Sequence, residues 1–336
     1  MTFDLYAELT SLQACPARSA LPGGLASGFV DGCTNWFAWN EYKRSEAEAA
    51  LKRETSQSKK QRIEGEKRKY ENAKSGGRKC YQKNAFQPEG TLSLPTVLAL
   101  DACVMPLLHT DWLAIEIKFK LLSPWYSKDG RPFHVLDNPV RKDRVFGVPY
   151  MSAASWKGLL RWACRMQAGL QEHLQRYGGR MDDWCDPDWI MHLFGNEKGE
   201  KEDFLRGALA FYPTWFNKVS FEVINPHSRK TRAGTQPILY EVVPADTEGV
   251  LRLLYAPLPG NDACGTAEGI DALQKLLDAA EQLLTVYGLS AKRTAGWGIA
   301  EVLEARANGG EWKREHPLQE LKGKLGSLLL SGVDRR

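Results

Sequence analysis

Residues 113–121 read LAIEIKFKL and alternate between two kinds of side chain. The odd-numbered positions hold leucine, isoleucine or phenylalanine, and the even-numbered positions hold alanine, glutamate or lysine. Because successive side chains of a strand point to opposite faces of a sheet, this period of two predicts a strand with one buried and one wet face.

Helix-like and strand-like patterns alternate after this strand. One helix with an apolar face ends at Gly178-Gly179, and a second occupies about 268–287. Strand-like segments lie at 207–213, 219–225, 237–243 and 249–257, and IAEVLEA is the last one. With 219–243 set aside as an inserted β-hairpin, the order is strand, helix, strand, strand, helix, strand. This is the ferredoxin-like, RRM-like βαββαβ order of an α+β fold, with both helices on one sheet face and the other face open to a ligand.

Positive charge is concentrated ahead of the first strand. The 336 residues carry a net charge of +4, but residues 41–79 alone carry thirteen Lys or Arg against seven Glu, a local +6. Their few large apolar residues predict a solvated helix or helical pair that ends at Gly76-Gly77. Two interpretations stay open for this segment, an exposed, partly disordered insertion and a basic arm that contacts RNA phosphates or a partner subunit.

The sequence predicts three parts along the chain. An N-terminal extension covers 1–108, the core covers 109–310, and a tail covers 311–336. No run of about 18 apolar residues and no signal peptide are visible, so no membrane span is expected. The seven cysteines are scattered, which favours a reducing cytoplasm over a disulfide framework. The sequence shows neither zinc-ligand spacing nor a nucleotide-binding phosphate loop.

A basic motif with a glycine opens the first predicted helix, SAASWKGLLRW at residues 152–162. A helix N-terminus attracts anions through unpaired N–H groups and the helix dipole. Gly158 would let a backbone approach closely, while Ser155, Lys157 and Arg161 would reach phosphate oxygens. The alternative is a helix start with incidental cations.

A second motif of this kind is the loop GLSAKRTAGWG at residues 288–298. It combines Lys292 and Arg293 with Gly296, so backbone N–H groups and two cations could cradle a phosphodiester. The alternative is a plain turn from a helix into a strand.

Three motifs together resemble the RAMP superfamily, the repeat-associated proteins of CRISPR effector complexes in antiviral defence. VPYMSAASWKGLLR is similar to its P-x-x-S-x-K-G-x-x-R signature, and GLSAKRTAGWGIAEV is similar to its C-terminal glycine-rich loop and strand. LFGNEKGEKEDFLRGALAFYP resembles its L-F-G segment followed by an R-G-x-L-x-F strand. The motifs occur in the expected order and cover about residues 111–304.

A longer run, LDNPVRKDRVFGVPYMSAASWKG, is similar to the backbone subunit of type III effectors. This resemblance implies a protein that polymerises in repeated copies along the guide RNA (crRNA), beside other effector subunits. It implies phosphate contacts that ignore base sequence. Residues 219–243 would be a thumb hairpin that kinks the guide–target duplex, and its tip holds three cations, namely Arg229, Lys230 and Arg232.

The same resemblance implies that an aspartate in the loop after the first strand supports metal-dependent cleavage of the target RNA. Asp129 fits this role by position, with Mg²⁺ as the expected cation. The alternative is an ordinary turn, since K-D-G is a good turn sequence.

The sequence departs from the family pattern in two places. It has M-S-A-A-S where the family has I-P-G-S-S, and it carries about 108 residues ahead of the first core strand. Two rival functions therefore stay open, a non-catalytic RNA-binding or capping subunit of the same complex and a guide-RNA-processing endoribonuclease of the superfamily. The latter often relies on a histidine, and no histidine of this chain has an equivalent position.

Overall fold

The structure is a computed structural model that describes residues 26–85, 112–130, 134–143, 147–196, 205–227, 230, 233–258 and 267–330. The helices in chain order are α1 (Ala26–Arg53), α2 (Gln57–Ala85), α3 (Ala153–Gln167), α4 (Leu170–Arg176), α5 (Asp188–Phe194), α6 (Ala267–Gln282) and α7 (Pro317–Leu330). The strands are β1 (Leu113–Leu121), β2 (Tyr150–Met151), β3 (Leu209–Phe211), β4 (Thr214–Trp215), β5 (Ser220–Ile224), β6 (Ile238–Val242), β7 (Glu248–Tyr255) and β8 (Ala300–Ala307).

These elements form two compact units. The sheet unit consists of the described residues within 112–125, 150–216 and 244–330. The hairpin unit consists of those within 26–85, 126–149 and 217–243.

A four-stranded antiparallel sheet forms the centre of the sheet unit, in the order β3–β7–β1–β8. Ile117 of the central strand β1 pairs with Leu251 on one side and with Ala305 on the other. Together with the helices, this antiparallel sheet confirms the predicted α+β class.

Helices cover the apolar face of the sheet. The odd-numbered side chains of β1 are fully buried, and Trp156 of α3 lies edge-on to Phe119 with ring centroids 5.9 Å apart. The indole N–H of Trp156 donates to Oγ1 of Thr214 at 2.9 Å, so this large side chain has its polar atom satisfied inside the core. Helix α6 packs against both α3 and α7.

The opposite face of β1 differs from the prediction of a wet, open surface. Glu116 is only 2% exposed because Arg252 and Arg306 reach its two carboxylate oxygens from the neighbouring strands, at 3.1 and 2.5 Å. The indole of Trp312 lies 4.2 Å from the Arg306 guanidinium and covers it. Paired charges and an indole therefore occupy this face at Glu116.

One of the two predicted core helices is interrupted, whereas the other covers its predicted range with a change of helix type. The first does not run unbroken to Gly178-Gly179, because Gly169 adopts a left-handed conformation (φ 97°) that separates α3 from α4. The second ends as an α-helix at Gln282 and continues as a π-helix over Leu283–Tyr287.

The hairpin unit contains two paired helices and a β-hairpin. Helices α1 and α2 are antiparallel and joined by a three-residue turn, and β5 pairs with β6 from Ser220↔Val242 to Ile224↔Ile238. Helix α2 continues past Gly76-Gly77, where the sequence predicted its end. A Cβ on Gly77 would lie 3.0 Å from Cδ1 of Trp36, so this glycine permits close contact between the helices.

A buried polar network fixes the C-terminal part of α2 within this unit. Tyr81 donates its hydroxyl proton to Oε1 of Glu241 at 2.6 Å, and Nζ of Lys142 donates to the Tyr81 hydroxyl at 3.0 Å. Lys142 also pairs directly with Glu241, whose second oxygen accepts the N–H of Val140 at 3.1 Å. Apolar side chains surround Tyr81, namely Phe37, Val135, Leu136, Phe221 and Leu239. Residues 26–85 are thus a packed part of the hairpin unit.

In the part of the chain that the structure describes, no helix is both long enough and apolar enough to cross a membrane.

Candidate nucleic-acid interface

The start of α3 is capped from within the chain. Ser152 is the N-cap residue, and its Oγ accepts the backbone N–H of Ser155 at 3.2 Å and lies 2.8 Å from the Ser155 hydroxyl. This is the usual way to satisfy a helix N-terminus. The Ser155 N–H is therefore already used, and anion binding at this turn depends on side chains.

Gly158 faces open space. A Cβ added there would meet no atom within 4 Å, and the residue is exposed in the middle of a regular helix. Since glycine costs about 1 kcal/mol relative to alanine inside a helix, its presence is not explained by the packing of the described chain. The bare backbone leaves room for another molecule to approach.

The two cations that flank Gly158 have different surroundings. Lys157 is exposed and forms no ion pair with any residue that the structure describes. Arg161 donates from Nε to Oδ2 of Asp186 at 2.8 Å, and Arg165 donates from Nε to Oδ1 of the same carboxylate at 2.6 Å. The sequence prediction grouped Arg161 with Lys157, but the charge of Arg161 is balanced by a carboxylate 25 residues away in the chain.

Asp186 is a positioning residue that the sequence analysis missed. Its side chain is 2% exposed, and it also accepts the indole N–H of Trp184 at 2.9 Å. Burial raises the pKa of Asp186, but hydrogen bonds from Arg165, Trp184 and Arg161 outweigh burial and hold the pKa below its ordinary value. The spacing of Arg161 and Arg165 by four residues was the one available signal that both face a common partner.

The two glycines at the ends of the loop 288–298, Gly288 and Gly298, lie close together at its base. The N–H of Leu289 donates to the carbonyl of Gly298 at 2.9 Å, and Gly298 adopts φ 86°. A Cβ on Gly298 would lie 2.4 Å from the backbone nitrogen of Ser290, so only glycine fits there. Gly296 also has a positive φ, 75°, but it is exposed and has open space around its Cα.

Trp162 connects this loop to α3. The guanidinium of Arg293 lies 4.3 Å from the Trp162 ring, and that ring meets Tyr287 edge-on at 4.9 Å. Arg293 forms no ion pair with the described residues, and its Nη1 is enclosed without a hydrogen-bond partner among them. Because Trp162 follows Gly158 by four residues, both lie on the same face of α3.

The structure thus brings the two predicted basic motifs together. We call this surface the α3–loop face, and it consists of Lys157, Gly158, Trp162, Arg293 and Gly296. Lys292 lies on the same loop, half-buried, with its backbone N–H 3.3 Å from the Ser290 hydroxyl. Trp162 was not among the predicted site residues, because an indole on an amphipathic helix is usually interpreted as part of the core.

Of the predicted cations at the β-hairpin tip, Lys230 is exposed, whereas Arg229 and Arg232 lie outside the described residues. Beyond β5 and β6 the hairpin extends to a bridge between His227 and Gly234. Both of these features belong to the hairpin unit.

Asp129 joins two segments of the hairpin unit. Its carboxylate accepts the backbone N–H of Lys142 at 3.4 Å, and its own N–H donates to the carbonyl of Pro139 at 3.1 Å. No group of three or more His, Cys, Asp or Glu side chains suited to a metal ion occurs among the described residues.

Comparisons with known proteins identify relatives by profile and by fold. The profile of the RAMP superfamily matches residues 118–301, and no curated protein matches the chain in sequence. Similar solved structures include a chain of the type III-B Cmr-beta complex bound to cognate target RNA, with 14% identity and a TM-score of 0.35. That match covers 58% of this chain and 60% of the Cmr-beta chain.

Two further solved structures are similar to this chain. A chain of the Csm3-Csm4 subcomplex of a type III-A CRISPR-Cas interference complex has 15% identity and a TM-score of 0.39, over 64% of this chain and 95% of that one. A CRISPR RNA-guided surveillance complex has 16% identity and a TM-score of 0.40, over 58% of this chain and 68% of that one.

Proposed function

We propose that this chain, which belongs to the RAMP superfamily, binds the phosphate backbone of a crRNA through its α3–loop face. The observation that carries the proposal is that Arg293, stacked on Trp162 of α3, and Lys157 of the same helix have no ion-pair partner in the described chain, while Gly158 leaves the helix backbone open. Such contacts read no bases, which suits a protein that carries guides of any sequence.

The proposal includes the architecture of the family. The order β3–β7–β1–β8, with helices between the first and second and between the third and fourth sheet strands in the chain, supports a ferredoxin-like core. The β5–β6 hairpin lies in the chain between two core strands and would act as the thumb on a guide–target duplex. Repeated copies of the chain and other CRISPR effector subunits would be its partners.

Target cleavage is the second part of the proposal and rests on Asp129. Mg²⁺ held between this carboxylate and the RNA would neutralise charge at the scissile phosphate. The residues present supply one carboxylate, and its hydrogen bond to Lys142 N–H gives Asp129 a structural role as well. This hydrogen bond favours the second candidate, a non-catalytic RNA-binding or capping subunit.

Binding is tested with the variant Lys157→Ala/Arg293→Ala of the full chain and a labelled single-stranded crRNA. Each lost phosphate contact should lower the slope of log affinity against log salt by about 0.7, so the double variant should lose about 1.4. The control Lys313→Ala/Lys324→Ala removes two cations elsewhere in the sheet unit and should keep the original slope. Equal loss of slope in both variants would refute a localised site.

Cleavage is tested in the assembled complex with Asp129→Asn, which keeps an acceptor for the Lys142 N–H. Retained target binding with lost cleavage supports the catalytic role, whereas unchanged cleavage refutes it and supports the non-catalytic subunit. Efficient cutting of a repeat RNA by the chain alone would support the guide-processing alternative instead.

A further inference from the structure

The turn between α1 and α2 carries a cluster of cations, which we call the basic tip, residues 52–60. Its cations are Lys52, Arg53, Lys59 and Lys60. Three of them are exposed, Lys60 is half-buried, and none forms an ion pair with a residue that the structure describes. The tip contains one acidic residue, Glu54, whose Oε1 accepts the backbone N–H groups of the next two residues at 3.0 Å.

Several other cations of the same helix pair are paired with carboxylates. Carboxylates of one helix meet cations of the other in a constant antiparallel register, which gives cross-links at 2.8–3.5 Å. These cross-links are Arg44–Glu71, Lys67–Glu48 and Lys74–Glu41. The nine residues of the tip hold four cations and one glutamate, so they carry half of the net +6 of residues 41–79, and no such cross-link occurs there between described residues.

The chemistry of the tip fits a phosphate backbone better than a protein surface. The sequence KRETSQSKK contains no apolar side chain, whereas protein–protein interfaces depend on a buried apolar centre. Apart from the four cations and Glu54, its side chains are hydroxyls and an amide, which donate hydrogen bonds to phosphate oxygens as lysine and arginine do.

The tip is held at a fixed distance from a rigid base. Lys60 precedes the buried Tyr81 by 21 residues of continuous helix, which corresponds to about 30 Å. The network of Tyr81, Glu241 and Lys142 fixes that end of α2. We call the cross-linked pair of α1 and α2 the arm. Because its backbone is already ordered, the tip loses little conformational freedom when it binds a ligand.

We propose that the basic tip binds the phosphodiester backbone of RNA as a second contact, separate from the α3–loop face. The two surfaces share no residue and lie in different units, so either can fail without the other. The basic tip would thus add a positive surface with no preference for base sequence.

The test uses the full chain in which the four tip cations are changed to glutamine, Lys52→Gln/Arg53→Gln/Lys59→Gln/Lys60→Gln. The matched control changes four exposed cations of the sheet unit, Arg176→Gln/Arg180→Gln/Arg314→Gln/Lys324→Gln, and has the same net charge. Binding of a 30-nucleotide single strand and of a 30-base-pair RNA duplex is measured by fluorescence anisotropy across a salt series, and thermal unfolding is recorded for each variant.

The tip variant should lose about 0.7 of the salt slope for each engaged cation, up to about 2.8 on a single strand, while the control keeps its slope. A loss on the duplex alone would assign the tip to paired RNA. Unchanged RNA binding by the tip variant overturns the proposal and leaves an acidic protein surface as the partner. Loss at the tip with no effect of Lys157→Ala/Arg293→Ala would keep this inference and refute the proposed function.

Discussion

Removing the Glu241 carboxylate should destabilise the hairpin unit more than removing any surface charge. Glu241 has no exposed surface, and it accepts hydrogen bonds from Tyr81 and from the N–H of Val140 while it neutralises Lys142. The variant Glu241→Gln keeps the size of the side chain and an acceptor oxygen. It removes the Glu241 charge that faces the Lys142 ammonium, which is 4% exposed.

The size of the effect follows from this burial. Breaking one partner of a buried ion pair costs about 3–5 kcal/mol, because the remaining charge stays in a medium that solvates it poorly. The whole stability of a domain is about 5–15 kcal/mol, so this single change should remove about a fifth or more of the stability of the unit. Replacing both charges should cost less, since the pair then leaves no charge behind.

The assay is a double-mutant cycle with Glu241→Gln, Lys142→Met and the double variant, followed by hydrogen exchange of the α2 amides near Tyr81. We expect a coupling free energy of about 2–3 kcal/mol, because the double variant should lose less stability than the sum of the losses of the two single variants. Strictly additive effects would refute the argument, because they would mean that the two charges do not depend on each other. The control Lys69→Gln, on the exposed surface of α2, should change stability by less than about 0.5 kcal/mol.

Three further predictions concern the sheet unit. The pKa of Asp186 in the folded chain lies below its ordinary value of 3.8, so the ionised carboxylate stabilises the fold above pH 3.8. This contribution to the free energy of unfolding should disappear as the pH falls through the pKa of the folded chain. The variant Asp186→Asn should therefore show a smaller loss of stability over that pH range. Gly158→Ala should stabilise α3 by about 0.5–1 kcal/mol in thermal unfolding and weaken crRNA binding, whereas a gain in both would contradict the proposed close approach. Trp162→Leu should weaken RNA binding, because Arg293 loses the ring on which it stacks. An affinity equal to that of the wild type would contradict a role for this stacking in RNA binding.

Local patterns in the sequence predicted the strands and loops whose conformation depends on residues close together in the chain. The period of two in LAIEIKFKL identified β1 and its buried face, and the glycines around residues 288–298 identified a sharp loop. They did not reveal that Glu116 lies between two arginines of adjacent strands, because that contact joins residues 136 and 190 positions apart.

The same limit explains which contacts the sequence did not show at the site and why it placed the end of α2 too early. Arg161 and Lys157 are both cations beside Gly158 in the sequence, and only the folded chain shows that Arg161 forms an ion pair with Asp186. Gly76-Gly77 would end an isolated helix, but contact with Trp36 and the anchoring of Tyr81 outweigh the helix propensity of two glycines. Asp129 was predicted as a catalytic residue from the family resemblance, while its contact with Lys142 is visible only in the structure.

The antiparallel arm also sets a length scale that can be engineered. Its cross-links lie in register along both helices, so the insertion of seven uncharged helix-forming residues into each helix, between Glu48 and Lys52 and between Lys60 and Lys67, would add two turns and nearly preserve the facing sides. The tip would then lie about 10 Å farther from the Tyr81 anchor with unchanged charge. A series of lengthened chains would therefore measure how far from that anchor the ligand of the tip lies.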